Sequence, residues 1–208
     1  MRLQTQREET LNAITHGLGF LLSLLGFGLL LVFKTYDTVQ GVVAVFLYGV
    51  SLSVLYFVSA LYHYTTNERR KNIYRKLDHI SIYLLIAGTY SPVVLIALEN
   101  SLGWVLFWTV WGIAIAGTVL KIFFTGRFEV LSLLLYVVMG WLIVFDIQAL
   151  RAAVSPEGMW LLFGGGLAYT GGIVFYALDN MHYNHVIWHL FVLAGSILHY
   201  LFVFLEIT

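Results

Sequence analysis

The feature that most constrains this chain is a series of long apolar stretches, at residues 12–33, 41–62, 79–98, 102–121, 129–149, 159–178 and 186–206, joined by short connectors. Each is about 20 residues long, the length a helix needs to cross the hydrocarbon core of a bilayer. A single segment in lipid satisfies all its own backbone groups only as a helix. The runs are continuous rather than alternating in period two, which argues against a transmembrane barrel. Only 11% of the 208 residues are charged, against about a quarter in soluble domains, so no water-facing coat can be built. A soluble globular enzyme is excluded. The reading is an all-α membrane protein, a seven-transmembrane helix bundle occupying residues 1–208 as one domain. The first stretch is too long for a signal-peptide core and lacks a basic leader, so it is expected to remain as a span. A formal charge of zero offers nothing to nucleic acid, and with no cysteine, disulfides and thiolate metal sites are out of reach.

Lys and Arg set the orientation. Arg2, Arg7, Arg69, Arg70, Lys71, Arg75, Lys76, Lys121 and Arg127 fall on the N-terminal side of the membrane, and only Lys34 and Arg151 on the other. The positive-inside bias therefore predicts a cytoplasmic N-terminus and a C-terminus across the membrane. Trp104, Trp108 and Trp160 are then expected at the outer interface and Trp188 at the inner one. Tyr64 to Leu77 is expected to be the longest polar connector. Gly164, Ala168 and Gly172 form a small-residue stripe suited to close helix contact. Pro92 is expected to kink the third span, with Ser91 or Thr89 serving the freed carbonyl. Asp146, near the outer end of its span, is read as solvated at the interface.

Ionisable groups inside a bilayer are costly, so their positions carry the most information. The topology puts Ser59, His63, Asp78, His185 and His189 at one depth, near the cytoplasmic face. His185 and His189 are four apart, on one helical face, and can offer two imidazoles to one ion. Ser59 and His63 share that spacing. Three histidines without cysteine suit zinc with a fourth position left to water, whose pKa zinc lowers to about 7. Asp78 either holds that water and takes its proton or completes the coordination; Ser59 bonds to one of them. His79 projects about 100° away from Asp78 around the helix, so the two do not face one ion. His182 is expected in the loop before the last span. His199 lies about 15 Å further along the axis than His189 and is expected to pair with another buried polar group, such as a Tyr or Thr. At the N-terminus, Glu8 and Glu9 favour the helix dipole, with Asn12 or Thr10 as cap; the alternative is that this segment, including His16, roofs the site or binds headgroups.

Taken together, E-E-x-x-N-x-x-T-H-G at Glu8–Gly17, S-x-x-x-H at Ser59–His63, K-L-D at Lys76–Asp78 and H-x-x-W-H at His185–His189 resemble a known pattern. The chain resembles the bacterial hemolysin III proteins, within the progestin and adiponectin receptor (PAQR) family of seven-span membrane proteins. The resemblance implies zinc held by His63, His185 and His189, with Ser59 and Asp78 beside it. The wider superfamily includes alkaline ceramidases, and adiponectin receptors are associated with zinc-dependent ceramide hydrolysis. The long N-terminal extension of the animal receptors has no counterpart here, so a hormone-receptor role is not expected.

Two functions follow as expectations. One is a zinc-dependent intramembrane hydrolase in the bacterial inner membrane, acting on a ceramide-like amide of an amphiphilic membrane lipid, with Asp78 moving the proton. The other is a non-enzymatic, zinc-stabilised sensor or pore-forming, haemolytic protein that alters membrane permeability.

Overall fold

The computed structural model describes residues 4–178 and 180–207. Arg2, one of the cations counted for orientation, lies outside them. The elements are α1 (Gln6–Phe33), α2 (Val39–Tyr64), α3 (Glu68–Pro92), α4 (Gly103–Phe124), α5 (Glu129–Trp141), α6 (Ile147–Ala153), α7 (Pro156–Ala177) and α8 (Asn184–Phe202). A π-helical turn, Val93–Ala97, extends α3, and another, Val203–Ile207, extends α8. A 3-10 turn, Leu142–Asp146, joins α5 to α6. These make seven membrane spans, and the chain is an integral, multi-pass membrane protein.

Helix starts follow local chemistry rather than hydropathy. Thr5, not Asn12 or Thr10, caps α1. Its hydroxyl accepts from Glu8 N–H, and the Glu8 carboxylate accepts from Thr5 N–H at 2.8 Å, a complete capping box. Asn12 lies inside the helix and bonds to Gln4 at 2.6 Å. Thr38, Asn67 and Ser155 cap α2, α3 and α7 by accepting from the N–H of Gly41, Arg70 and Gly158, without the reciprocal carboxylate. The expected connector from Tyr64 to Leu77 is therefore mostly helix. Lys, Arg and Glu are good helix formers, and hydropathy registers only the apolar remainder of α3.

α3 is the central helix. Of its most apolar window 67% is buried, against 17% to 50% in the other spans. It packs on α2 and α4, while α1 closes against α2 and α8, and α7 against α8. At Pro92 the helix continues as a π-turn, where Leu98 N–H reaches Val93 O at 3.1 Å. Ser91 bends back to Ala87 O at 2.9 Å rather than to the carbonyl freed by the proline. Asp146 is buried, not solvated: it accepts from Ser101 Oγ at 2.8 Å and Leu102 N–H at 2.9 Å, tying the α5–α6 joint to the turn before α4.

The seam between α7 and α8 has a different register from the expected stripe. Gly158, Gly165 and Gly172, seven apart, are the buried positions. A side chain at Gly165 would enter the His199 ring, and one at Gly172 would meet Trp188 and Phe191. A seven-residue repeat keeps one face of a helix on its neighbour. Trp188 is thus buried in this seam instead of joining an interfacial belt, whereas Trp104, Trp108 and Trp160 are exposed as expected. His199 finds its polar partner in the Leu162 backbone carbonyl at 3.0 Å, with the Tyr169 ring beside it.

Candidate metal centre

The polar groups that hydropathy makes expensive come together at one end of the bundle. His63 is on the last turn of α2, and His185 and His189 are on the first turns of α8. One ring nitrogen from each lies within 4.8 Å of the other two. The ring centroids are 4.6 Å apart for His185 and His189, 4.9 Å for His63 and His189, and 5.1 Å for His63 and His185.

His63 carries the clearest sign of a ligand. Its Nδ1 bonds Glu9 Oε2 at 2.7 Å, while Nε2 is buried with no hydrogen-bond partner among the described residues. An unpaired buried nitrogen is costly. A carboxylate on the far nitrogen is how metal-binding histidines are commonly oriented and made more basic. The other oxygen of Glu9 accepts from Lys71 Nζ at 2.6 Å, so α1, α2 and α3 meet at one carboxylate. His189 is held on two sides. Thr15 Oγ1 stands 3.4 Å from its Nδ1, and the His16 ring stacks on it with centroids 3.5 Å apart. Three converging imidazoles, one with a buried and unpaired nitrogen, fit the zinc expected from the sequence.

The acidic pair at the start of α1 therefore does more than cap. Glu8 is buried, and besides closing the capping box it accepts from Tyr183 N–H at 2.7 Å. That bond anchors the left-handed Tyr183 (φ 58°) that turns the chain into α8 and sets the phase of His185 and His189. Glu9 roofs the site directly. Glu9→Gln keeps the shape but loses the charge that orients His63, and the expected result is an about 10–100-fold weaker zinc affinity with the fold retained. Competition with a chromophoric chelator measures it. Unchanged affinity would mean that the Glu9–His63 bond does not tune the site.

Ser59 and Asp78 line a cavity of about 340 Å³ together with His185 and His189. Asp78 is not among the converging ligand atoms. Its carboxylate faces the cavity and has no hydrogen bond among the described residues, so it is available to a bound water or substrate. His79 also lines the cavity but is not among the converging ligand atoms. It stands 3.8 Å from Glu129, whose carboxylate also accepts from the fully buried Lys121 at 2.8 Å. His182 is exposed in the turn before α8. A smaller apolar chamber of about 100 Å³ shares Leu55, Ile82, Tyr136, Trp188 and Val192 with the polar cavity and runs deeper into the bundle.

Sequence reasoning did not find the Lys71–Glu9–His63 chain or the Lys121–Glu129–His79 group. The signal available was weak: charges that flank apolar runs at the same end as the histidines.

The family model described as "Haemolysin-III related" matches residues 4–200. Similarity to "Hemolysin-3" of Bacillus cereus is 44% identity over 194 residues, 93% of this chain and 89% of the relative. Similarity to "Hemolysin-3 homolog" of Bacillus subtilis (strain 168) is 44% over 193 residues, 92% and 91% of the two chains. The human "Monocyte to macrophage differentiation factor" is 26% identical over 199 residues, 93% of this chain and 82% of that one. The chain therefore belongs to the haemolysin-III-related family, with distant homology to the progestin and adiponectin receptor family.

Proposed function

We propose that this protein is a zinc-dependent intramembrane hydrolase of an amphiphilic lipid, cleaving an amide of the ceramide type. The observation that carries the reading is His63, whose Nε2 is buried and unpartnered beside two converging imidazoles while Glu9 holds the opposite nitrogen. His63, His185 and His189 would hold the ion. Zinc, when bound, supplies a Lewis acid for the carbonyl oxygen and acidifies water.

The remaining work falls to the chain's own groups. Asp78, with a free carboxylate on the cavity wall, takes one proton from the attacking water and delivers it to the departing nitrogen. The carbonyl carbon gains the water oxygen as the C–N bond breaks, leaving a carboxylic acid and an amine. The Ser59 hydroxyl, on the same wall, orients the water or Asp78. The adjoining apolar chamber suits the first part of an acyl chain, which favours an amphiphile over a water-soluble amide. With the N-terminus cytoplasmic, the site opens toward the inner leaflet of a bacterial cell membrane.

The test is turnover of ceramide by the purified protein in liposomes, with and without chelator. Asp78→Asn is expected to keep its zinc and lose turnover by about 10²–10⁴-fold, the usual contribution of a positioned acid–base group. Stoichiometric zinc with no turnover of any amide or ester lipid would overturn the reading.

The printed name of the relatives favours a second reading, a protein that alters membrane permeability. Dye leakage from liposomes that survives zinc removal and Asp78→Asn would support it. Against it, the ionisable groups around the histidines gather at one end of the bundle and do not continue as a stripe through any span.

A further inference from the structure

The first turns of α3 carry Arg69, Arg70, Lys71, Arg75 and Lys76. Arg69, Arg70 and Lys76 are exposed, where they can meet headgroups. Lys71 and Arg75, four apart and so on one face, turn inward and line the metal cavity with Asp78 and His79. Lys71 is engaged by Glu9, and its ammonium stands 5.3 Å over the Tyr62 ring.

Arg75 is not engaged. Its guanidinium has no hydrogen bond or ion pair among the described residues. It shares the cavity lining with Tyr62 on α2, His79 on α3, Glu129 on α5 and Tyr176 on α7. Its Nη2 reaches the α4–α5 turn, 3.8 Å from the place of a Cβ on Gly126. Of the carboxylates on this cavity, Glu9 is committed to His63 and Lys71, and Glu129 to Lys121 and the Gly126 N–H, while Asp78, three residues on, forms no hydrogen bond or ion pair with Arg75 among the described residues. The result is a planar fork of five donors over the polar end of a cavity, ringed by four helices and unspent. Such a fork matches the two oxygens of a carboxylate or phosphate.

We propose that Arg75 binds an anionic group, carboxylate or phosphate, on the head of the lipid that enters this cavity. The substrate class then moves from a neutral ceramide to an acidic N-acyl lipid. The inference rests on the hydrolase reading only in calling that lipid a substrate.

The experiment uses the full chain in neutral phosphatidylcholine nanodiscs, stripped of metal so that zinc cannot hold the anion. Tryptophan fluorescence follows binding, since Trp188 lines the cavity. The probes are lysophosphatidic acid, the uncharged monoacylglycerol of the same chain, and inorganic phosphate. Wild type is expected to prefer the charged lipid by about tenfold or more, Arg75→Gln to lose that preference, and Arg75→Lys to keep part of it. Phosphate alone is expected to bind weakly; binding as tight as the lipid's would overturn the assignment to a lipid head. Equal binding of charged and neutral lipids, or an unaltered preference in Arg75→Gln, would overturn the subsite. Reconstituted zinc content and the thermal midpoint confirm that the variant is folded. Because neither zinc nor hydrolysis enters the readout, an anion preference without turnover would sink the hydrolase and leave the subsite standing.

Discussion

Replacing His189 with alanine is expected to abolish stoichiometric zinc and, with it, lipid turnover. His189 is 1% exposed and contributes one of three converging nitrogens. The loss in affinity should exceed the about 10–100-fold expected for Glu9→Gln, because a ligand itself is gone rather than its support. Stability should fall too, since an ion that binds only the folded chain adds about 2.7 kcal/mol when it is at a hundred times its dissociation constant. Truncation also strips the stacked partner from His16. The control is His199→Ala, which removes a half-buried histidine bonded to the Leu162 carbonyl, away from the converging ligands, and should leave zinc in place. Metal analysis beside thermal unfolding of both variants checks the expectation. Full zinc occupancy in His189→Ala would end the metal-centre assignment.

The second large effect concerns the pair that no motif announced. Lys121 is fully buried, and its ammonium bonds Glu129 Oε2 at 2.8 Å. Glu129→Ala leaves that charge buried without its carboxylate, a change that typically costs about 3–5 kcal/mol. For a chain of this size the apparent melting temperature should drop by on the order of 10 °C. Removing both charges together is a different matter, because an apolar pair of similar volume often does as well as a buried ion pair. Adding Lys121→Met to Glu129→Ala is therefore expected to restore most of the loss. Thermal unfolding in detergent of the two single variants and the double variant measures the coupling. Purely additive losses would show that the pair contributes nothing as a pair.

Several positions show why sequence reading went as far as it did. The spans were legible because each repeats the same transfer free energy about 20 times, and no tertiary arrangement can hide so long a signal. The candidate ligands were legible because an imidazole or carboxylate near a bilayer needs a reason, and the hydropathy count alone put three histidines at one depth. Glu9 and Lys71 were not, since a charge beside an apolar run reads equally well as a cap, a headgroup contact or a support for His63. Trp188 was misread for a related cause: an interfacial tryptophan and one folded into a glycine seam have the same sequence address. The Gly158, Gly165 and Gly172 register escaped because Gly164, Ala168 and Gly172 present an equally small face, and only the position of α8 chooses between them.

From the order of residues alone came the class of solvent, the number of membrane spans and the set of donors able to reach one end of the bundle. Those are sums over single residues, each of which meets lipid or water independently of the rest. What the tertiary structure decided is pairing: Glu9 on His63, Glu8 on the turn before α8, Lys121 on Glu129, and Arg75 without a partner among the described residues. A pair energy depends on the distance between groups far apart in the chain, and that distance exists only once the helices have packed.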